Sequence, residues 1–361
     1  TAGSAASDNA ALTAVAIASG GVVKGQDILS SGASGTKDID LTNNKITVPK
    51  DGSVSFQLWA KVSDIKASST VSGATSGVHR SGMLPAMGLK DSLITGDWDA
   101  NYYTSANIRA TGLASGERVY ASTTNAAHGN NMVTRKSKPI VTKQALSSTT
   151  LANIDQDLIK FQVAADSAGT IALKQVVFSL AKGSATTLSN FRVRRGSTDM
   201  ALADFAVNYS STTGDESDVE AGTIATNQAS GSVIVSFTNE ETISGSGNVY
   251  TLHATVAGAA SGQNVTLTFY RDAAAPIVTG YLTSNFAVSP LTTSTAIFSI
   301  DVGAAASSTP ASPTKFYAGT FLWSDNSEVP HSSALGTSAG SRDWTNDVYV
   351  EDISQTQSLS L

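Results

Sequence analysis

The chain has no cysteine, which excludes disulfides, thiol nucleophiles and cysteine-ligated zinc outright. Charge is scarce as well. Asp, Glu, Lys and Arg make up 14% of the 361 residues, against roughly 25% in ordinary soluble domains. The balance is acidic, with a net charge of −6 and a pI near 5.2, which argues against nucleic acid or an anionic membrane surface as partner. No apolar run approaches the roughly 18 residues that cross a bilayer, so no membrane span is expected. The sequence also lacks a G-x-S-x-G elbow, a phosphate-binding loop, a dinucleotide fingerprint and an H-E-x-x-H pair. Its four histidines, His79, His128, His253 and His331, stand far apart without metal-ligand spacing. On this inventory the protein is not an enzyme, a dispersed Ser–His arrangement being the alternative.

Gly, Ala, Ser, Thr and Val fill the space that charge leaves. Thr and Val suit strands, and Gly and Ser suit turns, so the composition reads all-β and extracellular. A secreted chain without disulfides draws its stability from large cores, bound ions or neighbouring subunits. Thr1-Ala2-Gly3-Ser4 reads as a mature start whose leader has been removed. Low-charge surfaces of this kind point to copies of the chain itself as the partner.

The most informative stretch is Val54-Ser55-Phe56-Gln57-Leu58-Trp59-Ala60-Lys61-Val62. Its apolar residues alternate with polar ones, the period of a strand with one face in a core. The pattern returns as Tyr250-Thr251-Leu252-His253-Ala254-Thr255-Val256, at an offset of 194 residues (58 to 252). A second correspondence sets Leu12-x-x-Val15-x-Ile17-x-Ser19-Gly20 beside Leu188-x-x-Phe191-x-Val193-x-Arg195-Gly196, at an offset of 176 (12 to 188). Together they indicate a repeated β domain, convergence of strands on one pattern being the alternative.

Three segments follow from turn and strand signals. Residues 1–134 form a first β-sandwich domain with an N-terminal arm and short strands at Leu12–Ile17, Val22–Ile28, Lys37–Leu41 and Ile46–Val48, then Tyr102–Ile108 and Arg118–Tyr120. Residues 64–92 form a long loop or irregular edge. The boundary is the basic run Arg135-Lys136-Ser137-Lys138-Pro139, read as an exposed linker or an anion or glycan contact. Residues 135–295 form a second sandwich. In it Asp157–Val163 and Thr170–Leu180 make a hairpin about Asp166-Ser167-Ala168-Gly169, followed by strands near 188–193, 232–237, 249–256 and 265–270. Residues 296–361 are a β-rich C-terminal extension, with strands at Ala296–Val302 and Phe316–Trp323, that packs on or adds strands to a sandwich. The fold class is all-β, tandem immunoglobulin-like sandwiches with this extension.

If the repeat holds, the second domain has strands at 157–180 that precede its repeat, whereas the first has only residues 1–11 in that place. The first domain therefore lacks its opening strands. A sandwich missing strands exposes unpaired backbone and an open core. A strand from another copy, the C-terminal tail or the N-terminal arm, would fill the gap by donor-strand complementation. The alternative is that a loop such as 64–92 closes the domain internally.

Three kinds of candidate site remain. Gly214-Asp215-Glu216-Ser217-Asp218-Val219-Glu220 is the best oxygen-rich cluster, so Asp215, Glu216, Asp218 and Glu220 are the calcium candidates, a solvated loop being the alternative. Gly96–Asn101, Asp325-Asn326 with Glu328, and Asp343 with Asp347 are weaker. Trp98, Trp323 and Trp344, flanked by Asp and Asn, are stacking platforms for a sugar or else core side chains. His253 is expected on the outward face of its strand, in water. The sequons Asn208-Tyr209-Ser210 and Asn264-Val265-Thr266 are expected by chance at this composition.

Across residues 130–361 the wording also carries a resemblance. Arg135-Lys136-Ser137-Lys138-Pro139, Phe161-Gln162-Val163-Ala164-Ala165-Asp166-Ser167-Ala168-Gly169, Leu188–Ser197, Trp323-Ser324-Asp325-Asn326-Ser327 and Asp343-Trp344-Thr345-Asn346 resemble large Thr/Ser-rich, S-layer-like surface proteins of uncultivated small-genome bacteria. The resemblance implies a secreted, β-rich envelope protein and supplies no catalytic residue. The expected function is a structural subunit of an extracellular surface layer or filament, assembling head-to-tail from copies of itself. The alternative is a monomeric adhesin or glycan-binding module at the cell surface.

Overall fold

The computed structural model describes residues 12–29, 39–65, 79, 81, 87, 109–120, 134–211, 216–218, 222–270, 320–328, 343–345, 350–351, 353 and 355–361. The expected strands at Tyr102–Ile108 and Ala296–Val302, the arm 1–11 and most of the loop 64–92 lie outside these residues. What is described is all-β: antiparallel strands with a single 3-10 turn at Leu202–Asp204. No helix among the described residues is long and apolar enough to cross a membrane. The chain divides into two compact units, Thr1–Thr134 and Arg135–Leu361.

Unit 1 contains β1 (Leu12–Ser19), β2 (Val22–Ile28) and β3 (Gln57–Val62), hydrogen-bonded in the order β2-β1-β3. The connection between β1 and β2 is two residues long, Gly20-Gly21, both with positive φ (59° and 75°). Two successive left-handed residues make the turn whose twist matches the flanking strands, and glycine adopts it without a Cβ clash. A separate hairpin joins β4 (Arg109–Thr111) to β5 (Arg118–Tyr120). Ile46–Val48 and residues 39–41 form no strand. Instead Ile39 and Leu41 lie against Gly25, where a Cβ would have no room.

Unit 2 opens with β6 (Pro139–Lys143), β7 (Asp155–Ala165), β8 (Ile171–Lys182), β9 (Thr187–Arg195) and β10 (Thr198–Asp199). It continues with β11 (Phe205–Ser211), β12 (Glu216–Asp218), β13 (Thr223–Ile224), β14 (Ser230–Ile243), β15 (Asn248–Ala257) and β16 (Asn264–Phe269). The C-terminal residues add β17 (Phe321–Ser324), β18 (Trp344–Thr345) and β19 (Thr356–Ser360). One sheet runs β10-β9-β15-β7-β6, with β13 also on β9. The other runs β12-β11-β14-β8-β16-β19, with β17 on β8 beyond the end of β16 and β18 on β17.

The two sheets enclose one core, so unit 2 is a β-sandwich. Aromatic rings from opposite sheets interlock at its centre. Phe161 of β7 meets Phe269 of β16 edge-on at 4.9 Å and Phe178 of β8 at 5.7 Å, and Tyr250 of β15 meets Phe237 of β14 at 5.6 Å. Such tilted and edge-on pairs add about 0.5–1.5 kcal/mol each beyond their area burial. β8 has strands on both edges and is buried on both faces, which explains its unbroken apolar run Val176-Val177-Phe178. Gln175 lies fully buried on the face turned away from the core, where its Oε1 accepts the Ser236 hydroxyl at 2.8 Å.

One expectation is corrected. β7 and β8 are not a hairpin: β7 pairs with β6 and β15, and β8 with β14, β16 and β17. Asp166–Gly169 turns a corner between the sheets, so that both strands face the same core from opposite sides. Hairpin and corner use the same turn residues, because each needs only a tight reversal.

β19 closes the sandwich at the edge of β16, with Leu359 and Gln357 buried. Gln357 then does the work of a missing strand. Its Oε1 accepts the Lys160 amide at 2.8 Å and its Nε2 donates to the Lys160 carbonyl at 3.0 Å, just past the end of β6. Gln357→Leu keeps the volume; the Lys160 carbonyl still accepts the Gln144 amide at 3.0 Å, but the Lys160 amide loses its acceptor, at a cost of about 1–3 kcal/mol for a buried unsatisfied group. The expected outcome is a melting temperature for unit 2 lower by several degrees, read by calorimetry, with Gln357→Glu intermediate because it keeps the acceptor alone.

Candidate assembly surface

The repeat read from the sequence is a repeat of strand register. In unit 1, Leu12, Ala16, Ile17 and Ala18 of β1 face Val62, Trp59, Leu58 and Gln57 of β3. In unit 2 the residues displaced by 176 and 194 positions face each other in the same way: Leu188, Arg192, Val193 and Arg194 with Val256, His253, Leu252 and Thr251. The hairpins agree too, since Ala18 and Ser19 pair with Val23 and Val22, while Arg194 and Arg195 pair with Asp199 and Thr198. Gly20 and Gly196, the matching turn residues, have φ of 59° and 65°. The module β2-β1-β3 is thus the counterpart of β10-β9-β15.

The surroundings of the two modules differ. In unit 2 the far edge of β15 is bonded to β7, and the second sheet covers the core face; Tyr250, Leu252, Ala254 and Val256 are buried. In unit 1 no strand among the described residues pairs with the far edge of β3. Among the described residues its core face buries Leu12 and Leu29, with Val15, Ala60 and Met87 packed alongside. Phe56, counterpart of Tyr250, is 40% exposed, and Val62, counterpart of Val256, is 47% exposed. Aromatic and branched side chains so placed have apolar area left to bury.

The outer faces diverge in chemistry. His253 is not in water as expected: it is 5% exposed, with Nδ1–H donating to Asp157 Oδ1 at 2.9 Å. Alternation placed it on the right face but did not show that β7 and β9 would flank it. Arg194 Nη1 donates to the same Asp157 oxygen at 3.0 Å and its Nε to Asp199 at 2.7 Å. The Thr255 hydroxyl donates to Asp155, holding that carboxyl below its usual range. In unit 1 the residues matching Arg192, Arg194, Asp199 and His253 are Ala16, Ala18, Val23 and Trp59. The Trp59 ring is 41% exposed, and its Nε1 donates to Gln57 Oε1 at 3.0 Å.

The remaining candidates belong to the architecture. Trp323 and Trp344 are 0% and 1% exposed, so neither can stack on a sugar; Trp98 lies outside the described residues. The basic run is not an exposed linker either. Arg135 stands 6.0 Å from the centre of the Trp323 ring and donates through Nη1 to the Asp343 carbonyl at 3.2 Å. Asp325 accepts the Lys136 amide at 2.7 Å, and Asp343 Oδ2 accepts the Ser324 hydroxyl at 2.6 Å. Three stretches, 135–137, 323–328 and 343–345, therefore meet in one knot that ties the C-terminal strands to the start of unit 2. In unit 1, buried His79 is held between the Ser63 carbonyl (2.6 Å from Nδ1) and the Thr134 hydroxyl (2.8 Å from Nε2).

Of the calcium candidates, Asp215 and Glu220 lie outside the described residues. Glu216 and Asp218 sit on β12, whose backbone pairs with Ser210 and Asn208 of β11. Among the described residues no group of three or more His, Asp or Glu side chains is arranged to hold a metal ion. In comparisons with known proteins no family model matches the chain, and no curated protein is significantly similar to it.

Tyr250 offers a direct probe of the complete module. Burial raises its phenol well above the usual tyrosine range, and its hydroxyl donates to Glu241, which also accepts Arg195. With the folded pKa raised, the stabilisation is fully present below about pH 10, where an unfolded-state phenol ionises, and is lost as pH rises above it. Tyr250→Phe is expected to flatten the alkaline fall in the melting temperature of unit 2, measured against wild type across that window.

Proposed function

We propose that this chain is a structural subunit of an extracellular surface layer or filament, self-assembling head-to-tail, with unit 1 of one copy completed by a strand from another. One observation carries the reading. The same registered module is enclosed in unit 2 by β7 and a facing sheet, while in unit 1, among the described residues, no strand pairs with the far edge of β3 and the core face is covered only in part, leaving Phe56 and Val62 40% and 47% exposed. A strand donated to β3 would cover the edge and the half-exposed apolar residues together. Because donor and acceptor are different surfaces, the interface is heterologous, the kind that can repeat into an open filament. The absence of cysteine and the low charge accord with an extracellular assembly whose broad faces meet other subunits.

Within this proposal the units are immunoglobulin-like sandwiches in tandem. Support comes from the two antiparallel sheets of unit 2 and the order of its first four main strands. β6 and β7 lie in one sheet, β8 in the other and β9 back in the first, as in a constant-type immunoglobulin domain. From β11 onward the order departs, since β11 and β14 are neighbours in the second sheet.

Phe56 and Val62 are exposed in the single chain, so Phe56→Lys and Val62→Lys should change monomer stability by about 0.5 kcal/mol or less. Electron microscopy and sedimentation are expected to show filaments or sheets from the wild-type chain, and loss of assembly in both variants with circular dichroism unchanged. A wild-type chain that stays monomeric at every concentration would refute the function. Assembly that tolerates both lysines would refute this joint.

A further inference from the structure

We propose that residues 271–319 are an insertion into one strand of unit 2, and that their run 296–302 is the strand donated to β3 of another copy. This rests on the reading above and names the donor which that reading leaves open.

Both ends of the insertion are fixed on β8. β16 and β17 run antiparallel to β8 along the same edge and meet it in succession: Phe269 of β16 stands opposite Phe178, and Phe321 of β17 opposite Val176. Between them the Tyr270 amide donates to the Val177 carbonyl at 2.9 Å. Two strands in line, sharing a direction and adjacent partners, occupy the place of a single strand. The chain leaves that line after Tyr270 and rejoins it at Thr320, so residues 271–319 bridge no gap in unit 2.

Unit 2 shows what the place beside β3 requires. There β7 fills it, with Ile159, Phe161 and Val163 buried and opposite Leu252, Tyr250 and Asn248 of β15, and with Lys160 and Gln162 between them. The run Phe298-Ser299-Ile300-Asp301-Val302 has the same alternation, three large apolar residues separated by polar ones. Outside the described residues no other run places Val, Ile, Leu, Met or an aromatic residue at three successive alternate positions. The arm 1–11 has no large apolar residue at all. The C-terminal tail is already used inside its own unit: β19 pairs with β16, Leu359 is buried, and Ser360 is bonded to Thr149 and Leu151. Set beside β3 in the register of β7, Phe298 stands opposite Leu58, Ile300 opposite Phe56 and Ser299 opposite Gln57. At about 3.3 Å per extended residue the shorter arm, 303–319, reaches on the order of 50 Å. Its residues 307–314 are all Ser, Thr, Ala or Pro, the composition of an extended spacer.

The cysteine-free sequence makes the test direct. Full-length chains carrying Gln57→Cys, an exposed position, are mixed under mild oxidation with size-tagged full-length chains carrying Ser299→Cys. A disulfide-linked pair of unlike chains is expected. The same mixture made with Leu113→Cys, on the β4–β5 turn, in place of Gln57→Cys is expected to give background only. Ile300→Lys in the Ser299→Cys chain sets a charge against the core face and is expected to lower the yield about tenfold, with the melting of unit 2 unchanged. A yield no better than the control, or one indifferent to Ile300→Lys, would overturn the donor. A chain carrying both cysteines that links only within itself would overturn donation between copies. Polymers seen by microscopy alongside either result would overturn this inference alone. A wild-type chain that stays monomeric at every concentration would remove the structural-subunit reading with it.

Discussion

An antiparallel sheet is stable only when its apolar face is covered and its outermost backbone groups are bonded. Unit 2 meets that demand within the chain. The second sheet covers the first, β7 takes the edge of β15, β19 takes the edge of β16, and the Gln357 side chain accepts the Lys160 amide just past the end of β6. Among the described residues unit 1 repeats the first sheet's strands with only part of those coverings, and in the proposed reading the rest comes from another copy. The functional reading comes from this difference between two like modules and not from a chemical group. A buried tyrosine and a half-exposed phenylalanine at matching register positions state it in two residues.

Much of the fold was legible because period-two alternation and turn chemistry are local. Leu12–Ile17, Leu58–Val62, Leu188–Val193 and Tyr250–Val256 read as strands, and the aromatic-x-Leu-x-Ala-x-Val pattern located the repeat. Pairing is not local, and there the reading failed in understandable ways. Asp166–Gly169 signals a reversal but not whether the chain returns in the same sheet. Thr356-Gln357-Ser358-Leu359-Ser360 alternates with a single large apolar residue, and it is the antiparallel pairing with β16, with the hydroxyl pairs Thr266–Ser358 and Thr268–Thr356, that makes it a strand of that sheet. Short runs such as Ile46–Val48 carry strand-forming residues yet pair with no strand among the described residues, because propensity acts only where a neighbouring strand is in reach.

The candidate site was legible in outline and misjudged in detail. Alternation put Trp59 and His253 on the same face but cannot report burial, which depends on the strands to either side. The Asp- and Asn-flanked tryptophans looked like sugar platforms because polar neighbours suggest exposure. In the fold those neighbours turn inward: Asp325 and Asp343 accept backbone and hydroxyl donors, and the rings fill the space between them and the core. The Arg135 run misled for the same reason. Its partners lie about two hundred residues away, and closing so long a loop is offset by packing that no local window contains.

How the two modules diverged bears on which surfaces matter. Drift alone would scatter substitutions over both faces. The core-face positions Leu12, Ile17, Leu58, Ala60 and Val62 instead match Leu188, Val193, Leu252, Ala254 and Val256 closely in size and polarity. The outer face changes as a set, two arginines, an aspartate and a histidine giving way to two alanines, a valine and a tryptophan. Tyr250, Glu241 and Arg195 form a bonded triad in unit 2, and in unit 1 the matching Phe56 and Ser19 have lost the hydroxyl and the guanidinium together.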